Sequence, residues 1–554
     1  MVRAWLSAIG AEIQGMHQAA YLLALFALLS QLLALVRDRL FASSFGASTT
    51  LDIYYAAFRV PDLLFATIAS LLSLYALLPV LSRLHSQGRS VAPFLDKALL
   101  IFFCVMGIIA AVLWGAMPAL APLVAPGLDP DTLVLIARIL LLQPLFLGAS
   151  NIVASLTQLR YRFAVYALSP LLYNLGIIFG LVALYPSMGL AGLGWGVVLG
   201  AVLHLGVQLP LYAKEERHER INMRETLRNV LEVLTLSLPR TLALGAGQFS
   251  LLALTAMASF LAPGSIAIFT FAFNLQAVPL AIIGVSYSVA AFPTLATLHA
   301  AGERKEFLRH IEAALRHMLF WAIPATVFVI VLRAQLVRVI LGAGAFDWEA
   351  TRLTAAALAL FILSLAAQSV TLLIARGYYA AGRTARPLIF ALLSVAVSVG
   401  CAVVLVYAFH SHALWRGFLE ALLRVDDIPG TTVLMLAMGY AAGALAQAAL
   451  GLYFFARDFD LDLRSLRRLS FECFSAAVIG GAVGYGVLAL LGGLIDINTT
   501  AGIVSQGLLA GIAGLSTTAA MLALLRNQEF IEAIAALHKR FIKEPPAVEV
   551  TDVA

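Results

Sequence analysis

Long apolar runs separated by short polar stretches dominate the chain from residue 19 to residue 525. Each run is continuous rather than alternating, so it predicts a buried α-helix and not the strands of a membrane β-barrel. A helix that crosses a bilayer needs about 20 such residues. The predicted spans are 19–40, 50–82, 96–118, 132–158, 163–185, 189–213, 233–261, 265–298, 315–332, 350–376, 387–409, 431–456, 469–494 and 499–525. The fold class is therefore an all-α polytopic membrane protein with about fourteen spans.

The composition agrees with lipid as the solvent. Of the 554 residues, 62% are hydrophobic and only 12% are charged, and the mean hydropathy is +0.95. A soluble globule of this length cannot hide so much apolar surface. Three further segments have the mixed polar and apolar pattern of interfacial helices, at residues 221–234, 304–318 and 413–427.

Lysine and arginine are distributed unevenly over the predicted loops. With the amino terminus in the cytoplasm, the inner segments hold 26 of these residues and the outer segments hold 7. Cytoplasmic loops carry this excess in most membrane proteins. We therefore expect both termini to be cytoplasmic and the protein to lie in a bacterial cytoplasmic membrane.

Two parts of the chain repeat one another at a spacing of 214 to 217 residues. The stretch LLPVLSRLHSQG aligns with AAFPTLATLHAAG, so that His85 corresponds to His299 and Gly88 to Gly302. Further pairs are Arg160 with Arg376 and Pro170 with Pro387. Six spans separate the equivalent positions, which predicts two six-helix lobes of the same orientation around a central cavity. The predicted domains are an amino-terminal lobe (1–214), a carboxy-terminal lobe (215–458), a pair of extra spans (459–530) and a cytoplasmic tail (531–554).

Several charges stand in the first two predicted spans, within VRDRLFASSFGASTTLDIYYAAFRVPD. A charge at the bilayer centre costs roughly 2.5 to 3.5 kcal/mol, so such residues usually face a bundle interior or an aqueous cavity. Asp52 and Arg59 are seven residues apart and would share one face of a continuous helix. For Arg37 and Asp38, a place in the headgroup zone is an equally good interpretation. Pro61 is expected to kink the second span.

The order of VRDRLFASSFGAS, LDIYYAAFRVPDLL and LLPVLSRL, together with LGAGAFDWEATRLTAAAL and ARGYYAAGRTARPL, resembles the MurJ (MviN) family. Its members are lipid II flippases of the multidrug/oligosaccharidyl-lipid/polysaccharide (MOP) exporter superfamily. The resemblance implies fourteen helices, alternating access, and arginines that bind the diphosphate of a polyprenyl-linked peptidoglycan precursor. It also implies that the last two spans form a groove for the lipid tail.

By this resemblance Arg37, Asp38 and Asp52 match family positions in the cavity. Where the family has further cavity arginines, this chain has Gln31, Phe65 and Asn274, and the family's LPN motif reads VPD. Arg59 and Arg240 are the candidate substitutes, and glutamines are the candidate neutral donors. The predicted substrate-binding residues are thus Arg37, Asp38, Asp52, Arg59, Arg240, Gln31, Gln248, Asn274 and Gln276.

Other functions remain open on the sequence alone. The cargo could be another polyprenyl-diphosphate glycan or a different molecule carried by a MOP exporter, and the chain could be a scaffold for cell-wall enzymes that transports nothing. No nucleotide-binding loop of the form GxxxxGK[ST] is present, which favours an ion gradient or the membrane potential as the driving force. No enzymatic activity, metal or cofactor is predicted. The expected partners are lipid II, membrane lipids and proteins of cell-wall synthesis.

Overall fold

The structure is a computed structural model that describes residues 16–72, 74–215, 223–495 and 499–541. These residues form helices joined by turns and irregular segments, and none of them lies in a β-strand. The prediction of an all-α fold is therefore confirmed.

The described helices are numbered in chain order. In the first half of the chain they are α1 (Met16–Phe45), α2 (Thr49–Ala57), α3 (Arg59–Thr67), α4 (Leu74–Ser86), α5 (Ala92–Val124), α6 (Pro130–Leu140), α7 (Gln143–Leu159), α8 (Phe163–Phe179), α9 (Tyr185–Met188), α10 (Leu190–Gly206), α11 (Leu209–Ala213) and α12 (Met223–Ala258). In the second half they are α13 (Ser265–Leu280), α14 (Ser286–Ala300), α15 (Arg304–Val331), α16 (Arg333–Leu341), α17 (Trp348–Ile362), α18 (Leu365–Ala380), α19 (Ala385–Ser411), α20 (Ala413–Leu423), α21 (Val433–Phe459), α22 (Arg464–Leu491), α23 (Thr500–Leu524) and α24 (Gln528–Phe541). A 3₁₀ turn at Ala69–Leu72 and π-helical turns at Gly180–Leu184 and Ala281–Val285 complete the set.

Eleven helices among the described residues are long and apolar enough to cross a membrane, or twelve if α17 and α18, which meet at 43°, form one span. These twelve coincide with the third to the fourteenth predicted spans. The first predicted span falls on α1, and the second falls on the short helices α2 to α4. The protein is thus a multi-pass membrane protein, and the total of fourteen spans stays a prediction.

Only one of the three segments with an interfacial pattern forms a separate helix. Residues 413–427 form the separate helix α20 as predicted, ending at Leu423. The other two segments are not separate helices, because residues 223–234 are the start of α12 and residues 304–318 are the start of α15. The reason is in the sequence: neither glycine nor proline occurs between Met223 and Leu238, or between Arg304 and Ile323, to interrupt the helix.

The repeat is visible in how two helices end. After α4, Gly88 has a φ of 71° and its N–H donates to the carbonyl of His85 at 3.0 Å. After α14, Gly302 has a φ of 75° and donates to the carbonyl of His299 at 3.1 Å. A left-handed residue at this position favours glycine, which explains why the sequence has it at both sites. The first part of the alignment is therefore supported by matching backbone geometry.

The second part of the alignment is out of register. Arg160 follows the last residue of α7, whereas Arg376 lies inside α18. The helix starts at Phe163 and Ala385 are 222 positions apart, not 216. Apolar helices of similar composition align equally well at several offsets, and only the helix ends fix the register.

Contacts between residues divide the chain into two compact units. The first unit contains the described residues of Met1–Val278, Ile340–Phe361 and Arg383–Gln447. The second contains those of Pro279–Val339, Ile362–Gly382 and Ala448–Ala554. The domain boundaries expected from the repeat are defined on a different basis and stay a prediction.

Small residues let α22 and α23 approach closely within the second unit. A Cβ atom built on Gly480 would lie 2.5 Å from the carbonyl oxygen of Gly514, and that contact is tighter than real Cβ atoms show. Gly484 faces the same surface of α23. Glycines at such a crossing allow backbones to meet inside a membrane.

Candidate substrate-binding cavity

A cavity of about 240 Å³ lies inside the first unit, among α1, α2, α3, α8, α12 and α13. Its wall combines aromatic and polar side chains in nearly equal numbers, seven and six. The aromatic members are Phe41, Tyr54, Tyr55, Phe58, Tyr173, Phe269 and Phe273, and the polar members are Arg37, Arg59, Asp62, Gln248, Thr270 and Asn274. A concave site with few placed polar groups is the usual form of a ligand pocket.

Arg37 and Asp38 lie on α1 and form a hydrogen-bonded ion pair at this cavity. Arg37 Nε and Nη2 donate to Asp38 Oδ1 at 3.0 and 2.8 Å. Arg37 Nη1 donates to Asn174 Oδ1 on α8 at 3.0 Å, and Asn274 Nδ2 on α13 donates to Asp38 Oδ2 at 3.0 Å. Asp38 is only 4% exposed. The structure therefore supports the interior interpretation of the pair over the headgroup interpretation.

Asn274 shows how the chain compensates for one departure from the family pattern. The resemblance implies an arginine at this position. The asparagine still reaches Asp38 and satisfies one of its oxygens, but it brings no charge. The Arg37–Asp38 pair is thus neutral as a whole, and its guanidinium remains 21% exposed toward the cavity.

Arg59 and Asp62 lie on α3, the second helix of the second predicted span, and both line the cavity. Pro61 lacks an N–H and its ring clashes with the carbonyl four residues earlier, which disfavours a regular helix through this point. Phe58, the one residue between α2 and α3, keeps right-handed helical backbone angles, and the kink expected at Pro61 stays a prediction. Arg59 opens α3 and is 8% exposed, and Asp62 lies one turn further on, with Gln143 as its hydrogen-bond partner.

Three buried polar atoms on the cavity wall have no hydrogen-bond partner among the described residues. They are Tyr55 Oη, Arg59 Nε and Thr270 Oγ1. Leaving such atoms unpaired costs about 1 to 3 kcal/mol each, and more for a charged group. All three belong to residues that line the cavity, which makes it a candidate site for a polar ligand, and the guanidinium groups of Arg37 and Arg59 favour an anion.

Asp52 has a different position from the one that the sequence predicts. Asp52 does not line the cavity, and its sharing of one helix face with Arg59 stays a prediction. Asp52 Oδ2 accepts from the N–H of Gly264 at 2.6 Å, and Asp52 Oδ1 accepts from the N–H of Ala267 at 2.8 Å. The carboxylate is 3% exposed and satisfies free donors at the start of α13, where a negative charge is favourable.

The remaining predicted site residues divide into two groups. Gln248 and Asn274 line the cavity. Gln31 and Arg240 are partly buried and Gln276 is fully buried, but none of the three belongs to the lining. Arg240 and Gln248 are eight residues apart on α12, a separation of about 12 Å along the axis. A span that is cavity-lining at one level is packed or exposed to lipid at another.

The aromatic side chains of the cavity wall were not among the predicted site residues. Tyr54 and Tyr55 on α2 and Tyr173 on α8 line the cavity. Their hydroxyl groups were the available signal, because a tyrosine deep in an apolar span needs a partner or an aqueous space. Asp62, the last residue of the VPD motif, was not among the predicted site residues either. It lines the cavity and is the second acidic group of the site after Asp38.

A second, apolar cavity of about 660 Å³ lies inside the second unit. It is lined by residues of the π-helical turn Ala281–Val285, α14, α15, α23 and α24, among them Ile283, Tyr287, Trp321, Phe328, Leu515, Ala519, Phe530 and Ile534. Helix α24 carries Glu529, whose carboxylate pairs with Arg316 on α15 and is 4% exposed. Helix α23 contributes to this cavity and α22 does not, and the lipid-tail groove expected from these two helices stays a prediction.

Known proteins share both the sequence pattern and the fold. The family model described as lipid II flippase MurJ matches residues 41–415. The lipid II flippase MurJ of Burkholderia cenocepacia is 28% identical over 369 residues, covering 64% of this chain and 71% of that protein. The probable lipid II flippase MurJ of Thermotoga maritima is 27% identical over 380 residues, covering 68% and 76%.

Solved structures agree at the level of the fold. A lipid II flippase MurJ in an inward closed conformation matches with a TM-score of 0.67 at 19% identity, covering 92% of this chain and all of that one. An inward-facing multidrug transporter of the MATE family, in the MOP superfamily, matches with a TM-score of 0.63 at 16% identity, covering 78% and 94%. The family model covers well over half of the chain, and on that evidence this protein belongs to the MurJ family of lipid II flippases.

Proposed function

We propose that this protein carries lipid II from the inner to the outer leaflet of the bacterial cytoplasmic membrane. Membership of the family supports a transporter and not an enzyme. The observation that carries the proposal is the cavity of the first unit, where Arg37 and Arg59 face one enclosed space and Arg59 Nε lacks a partner.

The chemistry of a diphosphate fits this arrangement. Its oxygens are planar acceptors that guanidinium groups bind in pairs, with a charge that is not lost at neutral pH. Arg37 keeps a fixed orientation because Asp38 and Asn174 hold three of its N–H donors. A preorganised donor costs less conformational entropy when the ligand binds. The tyrosine and phenylalanine rings would pack against the sugar and the first isoprene units.

The apolar cavity of the second unit supports the lipid part of the same cargo. Its wall is almost wholly apolar, and a polyprenyl chain that leaves the bilayer needs such a surface to avoid water. We assign it to a part of the lipid tail. We further propose alternating access, driven by an ion gradient or the membrane potential, with both termini in the cytoplasm.

The proposal is tested in a bacterium depleted of its own lipid II flippase. The wild-type gene should restore growth and lipid II in the outer leaflet. Arg37→Ala and Arg59→Gln should abolish rescue at equal membrane expression, whereas Arg309→Gln, which changes an exposed arginine of α15, should not. Arg240→Gln should still rescue, because Arg240 is not among the residues that line the cavity. The family resemblance, which makes Arg240 a candidate substitute for a cavity arginine, predicts a loss of rescue instead.

Failure of the wild-type gene to rescue, despite good expression, would reject lipid II as the cargo. Rescue by both Arg37→Ala and Arg59→Gln would reject the diphosphate site. The guanidinium contacts do not select the sugar, so flipping of other polyprenyl-diphosphate glycans by purified protein is the measurement that fixes the specificity.

A further inference from the structure

The charged side chains at the cavity of the first unit cancel one another. Arg37 and Arg59 are the cations, and Asp38 and Asp62 are the anions. Asp38 is tied to Arg37, but Asp62 itself lines the cavity beside Arg59. A diphosphate that links a polyprenyl chain to a sugar brings two negative charges. The loaded cavity would then have an excess of negative charge in surroundings of low dielectric constant, where unbalanced charge is unfavourable.

We propose that the diphosphate enters this cavity together with one Mg²⁺ ion, and that the carboxylate of Asp62 is the protein ligand of that ion. This inference rests on the proposed function of the cavity as a diphosphate site. Magnesium is typically held by one or two carboxylates plus the phosphates of the substrate, and it keeps several of its waters. One carboxylate on the wall of a diphosphate site matches that mode.

The other groups of the wall fit the same arrangement. Arg59 lines the cavity and its Nε has no hydrogen-bond partner among the described residues, so its guanidinium can bind the phosphate oxygens that the metal leaves free. Thr270 Oγ1 is a buried, unpartnered oxygen that can accept a hydrogen bond from a metal-bound water. The described residues contain no cluster of three or more histidine, cysteine or acidic side chains that would hold a metal alone. The site therefore needs the substrate to be complete, which also means that the ion leaves with it.

Asp62 has this role because of its charge and not because of its size. An asparagine at the same position would keep the shape and the hydrogen-bonding oxygen while leaving the cavity with a net positive charge. We infer that the acidic residue makes loading depend on the metal in this protein.

The test uses the purified full-length protein in nanodiscs and a short-chain polyprenyl diphosphate as the probe. Binding is measured by calorimetry with millimolar Mg²⁺ and with the metal removed by chelation, at pH 7.5 and at pH 6. Wild-type affinity should rise at least tenfold with Mg²⁺. Asp62→Asn should bind the probe without Mg²⁺ as tightly as the wild type does with it. Asp131→Asn, which alters an exposed carboxylate of α6, should behave as the wild type does.

A second measurement needs no variant. Mn²⁺ replaces Mg²⁺, and its electron paramagnetic resonance signal should report binding to the wild-type protein only when the diphosphate is present. Binding of Mn²⁺ to the protein alone would overturn the proposal that substrate completes the site.

The other outcomes are also decisive. Equal Mg²⁺ dependence in the wild type and Asp62→Asn would place the metal on the diphosphate without Asp62 and overturn the inference. Tight binding at pH 6 without metal would assign the charge balance to a proton and overturn it as well. No binding of the probe by the wild type under any condition would reject the proposed diphosphate site itself, and that result is distinct from the other two.

Discussion

The cavity of the first unit is lined by charged and polar side chains as well as aromatic ones, whereas the cavity of the second unit is almost wholly apolar. The first is lined by two arginines and an aspartate. One of these arginines, Arg37, donates hydrogen bonds to Asn174 on α8 and to Asp38 on α1. The second is larger and almost wholly apolar, and two charged residues on its helices, the partly buried Arg316 and the buried Glu529, pair with each other. Arg37 and Arg316 thus have fixed charged partners, whereas the residues that line the second cavity include no charged side chain. Specificity for a headgroup needs the former, and tolerance of a flexible chain needs the latter.

The largest expected effect comes from breaking the ion pair of the polar cavity. Arg37→Ala leaves Asp38 buried without its cation, which should destabilise the protein by about 3 to 5 kcal/mol and weaken diphosphate binding roughly 10- to 100-fold. The double variant Arg37→Ala/Asp38→Asn should regain thermal stability but not binding. Thermal unfolding and calorimetry check both. Binding restored along with stability would show that Arg37 acts only in folding.

The apolar cavity should respond to filling and not to charge. Ala519→Trp places a large ring in it and should weaken binding of a long polyprenyl diphosphate by roughly tenfold, which corresponds to about 1.4 kcal/mol. Binding of a short-chain diphosphate should not change. Leu490→Trp, at a residue of α22 that is 74% exposed, is the matched control. An equal loss for both chain lengths would end the assignment of this cavity to the tail.

A third effect concerns the helices near the apolar cavity. Gly480→Ala would drive a methyl group into the backbone of α23 and should cost about 1 to 3 kcal/mol in thermal stability. A methyl group on Gly486, on the same helix, meets nothing within 4 Å, so Gly486→Ala should be neutral or slightly stabilising. Equal effects of the two substitutions would show that α22 and α23 are not closely packed.

The smallest effect is expected far from both cavities, at Asp427. Hydrogen bonds from Arg352 at 2.6 and 2.8 Å hold the pKa of this exposed carboxyl below its ordinary value. A carboxyl whose pKa is lowered in the folded state stabilises above its unfolded pKa and loses that contribution as the pH falls through the folded pKa. The protection of backbone amides near residues 424–431 against hydrogen exchange should therefore fall only below about pH 4. Asp427→Asn should remove this pH dependence.

Much of the fold follows from apolar periodicity alone. Residues 265–298 were predicted as one span, and α13, a π-helical turn and α14 occupy them. Length and hydropathy are enough for this, because a helix is the only way to satisfy backbone groups in lipid. The same signal cannot show whether an amphipathic segment is a separate helix, and it therefore failed at the starts of α12 and α15. It also failed to fix the register of the repeat at Arg376.

The site was less accessible to sequence reasoning. Arg37, Asp38 and Arg59 were predictable because a charge in a span needs a reason. Arg240 met the same criterion and yet lies outside the cavity lining, since depth and rotation along α12 depend on packing. Asp52 was predicted to belong to the site. Its hydrogen bonds to residues more than 200 positions away could not be predicted from the sequence of its own helix.

Those two bonds of Asp52 have a consequence for how the protein can move. Asp52 and Ala267 are 215 positions apart, so the carboxylate joins the starts of two spans that the repeat makes equivalent. Ala267 cannot reciprocate, and the junction is held from one side only. Water can replace two hydrogen bonds to a carboxylate at little cost, but it cannot replace contacts between apolar side chains. We therefore expect hydration to separate these two helix starts more readily in Asp52→Asn, because the amide nitrogen cannot accept the second hydrogen bond.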